Sequence, residues 1–180
     1  MSSTNTSRYE YPPTEFDPKP RDRRGLVFAI SVLVVLLDRI TKHIVARQLP
    51  NGEAFTVIPG IFRISDVHNT GAAFSMFAEN ASPVTVRNIL IAFSVVAVIM
   101  LFGMLWRVGR VISVTSVALA LILGGAFGNL YDRVRYHYVI DFLEVRIIHY
   151  HWPDFNVADS CIVIGACLLL IEIFRPQPNQ

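Results

Sequence analysis

Four long apolar stretches, separated by segments of mixed character, set the pattern of this chain. The first, residues 25–46, is apolar with few interruptions as far as Leu37 and then takes in Asp38, Arg39 and Lys42. Residues 88–106, 111–130 and 156–174 follow. Each is about twenty residues long, and at ~1.5 Å rise per residue such a helix covers the roughly 30 Å of bilayer hydrocarbon. The pattern predicts an α-helical polytopic membrane protein with four transmembrane helices. In residues 47–87, β-branched and aromatic residues are broken by Pro59-Gly60 and Asn69-Thr70-Gly71. The runs AFTVIPG, IFRISDV and GAAFSMF therefore read as short strands and turns, a small extracytoplasmic β-rich platform. Only residues 107–110 join the second and third spans, which makes them an antiparallel pair. Residues 131–155, rich in Tyr, His and Trp, read as an interfacial loop carrying VIDF.

The flanks complete the organisation. Residues 1–24 are polar and proline-containing, without an apolar face to offset the entropy of ordering them, and are expected to be a disordered cytoplasmic tail. Residues 25–174 form one membrane domain, and 175–180 a second short tail. Lys19, Arg21, Arg23 and Arg24 precede the first span and Arg107 and Arg110 fill the short turn, so both termini are expected in the cytoplasm.

Composition agrees with a chain that lives mostly in lipid. Hydrophobic residues make up 53% and charged residues 17%, with a mean hydropathy of +0.46. A net charge of +2 with no long basic run argues against a nucleic-acid surface. Cys161 and Cys167 have no spacing that suggests a disulfide framework or metal site and read as small core residues. No metal or cofactor motif is present, and a monomer is expected.

Against this apolar background the acids are informative, because ionisable groups at membrane depth are costly and mark function by default. Alternating spans bring Asp38, Asn69, Asn129, Asp132, Asp141, Asn156 and Asp159 towards one plane, the outer membrane boundary. Asn129 and Asp132, and likewise Asn156 and Asp159, stand three apart, a spacing that puts an amide beside a carboxylate on a helix. Arg133, four on from Asn129, can join them and hold a carboxylate ionised or bind a carbonyl. Two adjacent carboxylates share one proton: the ionised one takes a proton from water while the other polarises a peptide carbonyl. Asp159 has two candidate partners, Asp132 and Asp141. The fixed charge of Arg133 makes Asp132 the poorer holder of a proton, while Asp141 lies between Ile140 and Phe142.

Plainer roles stand beside these. Asp38 and Lys42 suit an i,i+4 ion pair, Asp132 and Arg133 a structural pair, and Asn156 a helix N-cap. Gly124, Gly125 and Gly128 suit close helix contact. A proton-coupled carrier is the rival class, but the acids crowd one boundary and form no relay across the bilayer.

The ordered series D-x-x-T-K (Asp38, Thr41, Lys42), N-T-G-A-A-F (69–74), G-N-L-Y-D-R (128–133), V-x-D-F (139–142) and F-N-x-A-D-S (155–160) resembles the lipoprotein signal peptidase family, signal peptidase II. The resemblance spans about residues 25–174. It implies an intramembrane aspartic endopeptidase of the bacterial cytoplasmic (inner) membrane that needs no cofactor. Such an enzyme removes signal peptides from diacylglyceryl-modified prolipoproteins, cleaving before the lipidated cysteine. It further implies Asp141 and Asp159 as the catalytic pair, with Asp38, Lys42, Asn69, Gly71, Asn129, Asp132, Arg133, Asn156 and Ala158 shaping the site or binding substrate. Small residues at Gly71, Ala72, Ala73 and Ala158 would leave room for the lipidated cysteine. The position after Asp38, often glutamine in that family, is Arg39 here.

Overall fold

A computed structural model describes residues 21–49, 53–71, 82–148 and 150–175. Most of the leading tail, Ala72, Ala73, most of the GAAFSMF run and residues 176–180 fall outside them. Among the described residues the helices are α1 (Arg24–Gln48), α2 (Pro83–Val108), α3 (Val114–Arg135) and α4 (Val157–Ile173); the strands are β1 (Ala54–Ile58), β2 (Phe62–Asn69), β3 (Val139–Ile147) and β4 (Tyr150–His151). Each helix matches an apolar stretch to within a few residues. Two of them, α2 and α3, are long and apolar enough to cross a membrane. In α1 the triplet Asp38, Arg39 and Lys42 interrupts the apolar run, and α4 has 17 residues.

Local chemistry sets the helix starts. Ser82 caps α2, its hydroxyl accepting from the Thr85 N–H, and Pro83 occupies the first helical position, where a missing N–H costs nothing. Ser113 and Ser116 form a reciprocal capping box on α3. Asn156 and Asp159 form another on α4, so the expected N-cap at Asn156 is present.

The antiparallel sheet runs β1-β2-β3-β4. Its third strand corrects the expectation of an interfacial loop over 131–155. Residues 131–135 complete α3, and the VIDF motif opens β3, which pairs with β2 from Asn69↔Val139 to Phe62↔Val145. Val139, Ile140, Asp141 and Phe142 are all buried, so both faces of the strand are covered and the periodicity of a one-sided strand is absent. The segment 152–155 then folds back along β3. The Leu143 N–H donates to the Phe155 carbonyl (2.8 Å) and the Trp152 N–H to the Val145 carbonyl (2.9 Å), which delivers the chain to Asn156 and α4.

Small residues let α3 sit at the centre, packed against all three other helices. A Cβ at Gly124 would stand 2.7 Å from the Ser31 carbonyl oxygen of α1, and one at Gly128 would stand 2.8 Å from an Asp38 carboxylate oxygen. At Gly125 it would overlap the Ala158 carbonyl of α4. The glycine stripe is therefore a packing feature, as the sequence suggests. Gly125→Leu is expected to separate α3 from α4 at a cost of about 1–3 kcal/mol or more, read as a lower unfolding temperature in detergent; unchanged thermal stability would reject the close approach.

Of the two cysteines read as core residues, Cys161 is half-buried, but Cys167 lies on the exposed face of α4.

Candidate active site

The elements just described bring the predicted polar residues into one hydrogen-bonded network. Asp141 projects from β3 and Asp159 from the first turn of α4, with Asn156 between them. The Asn156 side-chain amide donates to Asp141 Oδ1 at 2.7 Å, while its backbone N–H lies 3.3 Å from Asp159 Oδ2. One residue thus touches both carboxylates.

Three asparagines surround the pair, and the orientation of each amide is fixed by a donor that cannot be reversed. The Asn69 Oδ1 accepts from the Gly71 N–H (2.9 Å), so its NH₂ faces Asp141 Oδ2 at 2.9 Å. Asn69 pairs with Val139 across the sheet, two residues from Asp141, a diagonal that side chains can span. Gly71 has φ +83°, the left-handed region that favours glycine, and a Cβ there would strike the Leu90 side chain. The Asn156 Oδ1 accepts from the Asp159 N–H (2.9 Å), which turns its NH₂ to Asp141. The Asn129 Oδ1 accepts from Lys42 Nζ (3.1 Å), and its NH₂ lies 2.7 Å from Asp159 Oδ1.

These contacts revise the pairing read from spacing alone. Asn129 serves Asp159, not the Asp132 three residues along its own helix, whereas Asn156 and Asp159 do pair, through the capping box, and the Asn156 NH₂ reaches across to Asp141 as well. Spacing on one helix gives a shared face; the neighbouring elements decide which partner fills it.

Asp132 and Asp38 belong to a second, fully buried layer. Lys42 Nζ lies 2.9 Å from Asp38 Oδ2 and 2.7 Å from Asp132 Oδ2, and Arg39 lies 2.6 Å from Asp132 Oδ1. The Asp38–Lys42 pair is therefore present. The expected Asp132–Arg133 pair is not, because Asp132 faces α1 and the start of β3, where the Ile140 N–H approaches it at 3.4 Å. Arg39 also lies over the Tyr131 ring, 4.8 Å from its centre. The residue that departs from the family pattern thus ties α1 to α3, a tertiary role that no local spacing signals. Asp38 Oδ1 accepts from the Ala158 N–H at 3.2 Å. Ala158 is buried against Gly125 and Gly128, so it packs α4 onto α3 rather than leaving room for substrate.

Arg133, half-buried, donates to the Asn129 carbonyl at 3.4 Å and lines a groove between α2, α3 and α4 that ends at Asp159. Asp141 lies on a strand outside the long helices, and burial pushes its carboxyl up to about 6, with the Asp159 charge adding to the rise and the Asn69 and Asn156 bonds opposing it. Away from this site Glu144, His151 and Asp154 place three potential metal-ligand atoms within 4.8 Å of one another, a cluster the sequence reading missed. Arg146 Nη2 already lies 2.8 Å from Glu144 Oε1, so cations compete there.

Comparison with known proteins agrees with this geometry. Residues 30–175 match the family model described as signal peptidase (SPase) II. The lipoprotein signal peptidase of Solibacter usitatus is 40% identical over 87% of this chain and 94% of its own length. That of Alteromonas mediterranea is 44% identical over 84% and 82%. A solved bacterial membrane enzyme superposes with a TM-score of 0.76 at 29% identity, covering 89% of this chain and all of the other. The chain belongs to the signal peptidase II family.

Proposed function

We propose that the protein is an aspartic endopeptidase that removes signal peptides from diacylglyceryl-modified prolipoproteins, cleaving before the lipidated cysteine. All four helices cross the bacterial inner membrane, both termini face the cytoplasm, and the site lies at the outer boundary with the sheet above it. The membrane domain covers residues 25–174, with a cytoplasmic tail at each end, and acts as a monomer. The observation that carries the reading is the carboxylate pair Asp141 and Asp159, bridged by Asn156 and surrounded by oriented amides.

The pair shares one proton, held on Asp141, whose burial favours the neutral acid. Asp159 takes a proton from a water between the carboxyls as the water oxygen bonds to the scissile carbonyl carbon. Asp141 gives its proton to the carbonyl oxygen, so a neutral tetrahedral diol forms. When the C–N bond breaks, its electron pair goes to the leaving nitrogen, which takes the proton from Asp159. Asp141 recovers a proton as the new carboxyl forms. Arg133 holds the substrate backbone, and Asn69, Asn129 and Asn156 keep both carboxylates aimed at the water.

The test uses purified protein in detergent with a diacylglyceryl-modified prolipoprotein and the same precursor lacking the lipid. Cleavage restricted to the modified precursor is the expected gel-shift result. Equal cleavage of both, or of neither, rejects the reading.

A pH dependence follows. Cleavage needs Asp141 protonated, so the rate should fall on an alkaline limb as pH rises through about 6. The Asn69 bond stabilises the charged form, so Asn69→Ala should raise the Asp141 pKa and move the limb up by about one pH unit. An unmoved limb would reject the assignment. For stability the sign is the same: a folded pKa above the usual 3.8 gives a contribution present below that value and lost as pH rises through about 6.

A further inference from the structure

Two grooves reach Asp159 from opposite sides of α4, and their linings differ in kind. One lies between α2, α3 and α4, with Asn129 and Arg133 at its head. The other, of about 500 Å³, runs beneath the segment 152–155 and along Asp159, Ser160, Val163 and Ile164. Residues 159 and 163, and 160 and 164, are four apart, so this lining follows the axis of α4. Ile162, three on from Asp159, lines the first groove instead. Asp159 therefore stands on the ridge between the two.

Hydrogen-bonding capacity tells them apart. The Arg133 guanidinium has five N–H donors, one of them directed at the Asn129 carbonyl, so a peptide laid in the first groove finds donors beside the acid. The second groove carries the Trp152 indole and the Asp154 carboxylate on the segment folded over it, but its α4 wall below Asp159 offers no free donor. The Ser160 hydroxyl already donates to the Asn156 carbonyl at 2.9 Å, and Val163 and Ile164, like Pro153 and Phe155 opposite, are apolar. In hydrocarbon an unpaired backbone group costs several kcal/mol, whereas an acyl chain needs no partner. Further down the helix, Cys167 and Ile171 continue the exposed face, so a chain longer than the cavity can extend along it.

We propose that the α4 groove holds the acyl chains of the diacylglyceryl group on the substrate cysteine, while the signal-peptide side of the scissile bond occupies the groove headed by Arg133. This rests on the peptidase reading above and adds how the lipid is recognised. It makes Val163 and Ile164 specificity-determining residues for the lipid.

The test uses the full chain in detergent and a modified prolipoprotein carrying a photoactivatable group on an acyl chain. Crosslinks are expected on α4 between Ser160 and Ile171, displaced by unlabelled modified precursor. Val163→Trp, at an exposed position, should lower kcat/KM by about tenfold or more for a long-chain precursor and spare a short-chain one. Ala97→Trp, in the other groove, should lower both alike. Crosslinks on α2 or α3, label displaced by plain phospholipid but not by precursor, or equal losses for both chain lengths in Val163→Trp would each overturn the proposal. If wild type cleaves no precursor yet the α4 label appears and precursor displaces it, the lipid groove stands and the peptidase reading falls. If label and cleavage are both absent, both fall.

Discussion

Asp141→Asn and Asp159→Asn are each expected to lower cleavage of a modified prolipoprotein by about 10²–10⁴-fold, the range for loss of a positioned acid or base. Asparagine preserves the shape of the carboxylate and part of its bonding. It can neither accept the water's proton nor supply one to the carbonyl. Because the two carboxyls act as one unit, the double variant should be little worse than either single one. Each carboxylate accepts on both oxygens, Asp141 from the Asn69 and Asn156 amides and Asp159 from the Asn129 amide and the Asn156 N–H. An amide therefore leaves one of two donors unpaired, and a fall of about 1–3 kcal/mol in stability is expected beside the loss of cleavage. Asp132→Asn is the discriminating control. Its carboxylate faces Arg39 and Lys42, so the expected loss is in stability. Full cleavage by Asp141→Asn with none by a folded Asp132→Asn would move the pair to Asp132 and Asp159.

The helices were legible because each is a long apolar run with a local start signal, Ser82-Pro83, Ser113 or Asn156. The gathering of polar residues was legible too, because it follows from the order of the segments. What remained hidden depended on rotation and register. Val139–Ile147 reads poorly as a strand because its first half is covered on both faces, and its pairing with β2 involves residues about seventy positions away. Asn129 and Asp132 share a helix face, yet one meets α4 and the other α1. Arg39 beside Asp38 carries no spacing signal at all; only the packing of α1 on α3 places it 2.6 Å from Asp132. The groove on α4 was equally invisible, since it arises where the segment 152–155 folds back over an ordinary apolar helix.

Replacement of Lys42 should have the largest effect on stability. Its ammonium is buried among Asp38, Asp132 and Asn129, and in Lys42→Met the two carboxylates keep only Arg39, among the described residues, as an ion-pair partner. Breaking a buried ion network from one side costs about 3–5 kcal/mol, because a charge is left without compensation. The unfolding temperature in detergent should fall accordingly. A second effect is expected on cleavage. Lys42 is the charged and shorter of two donors to the Asn129 Oδ1, the Asn156 amide being the other at 3.3 Å, so without it the NH₂ group is held less firmly towards Asp159. The two roles separate in the double variant Lys42→Met with Asp132→Asn. Removing one carboxylate's charge relieves the excess and should restore part of the stability, whereas Asn129 keeps only the neutral, longer bond from the Asn156 amide, so cleavage should stay below wild type. Wild-type stability in Lys42→Met would reject the buried network; recovery of cleavage together with stability in the double variant would reject the positioning role and leave Lys42 a purely structural cation.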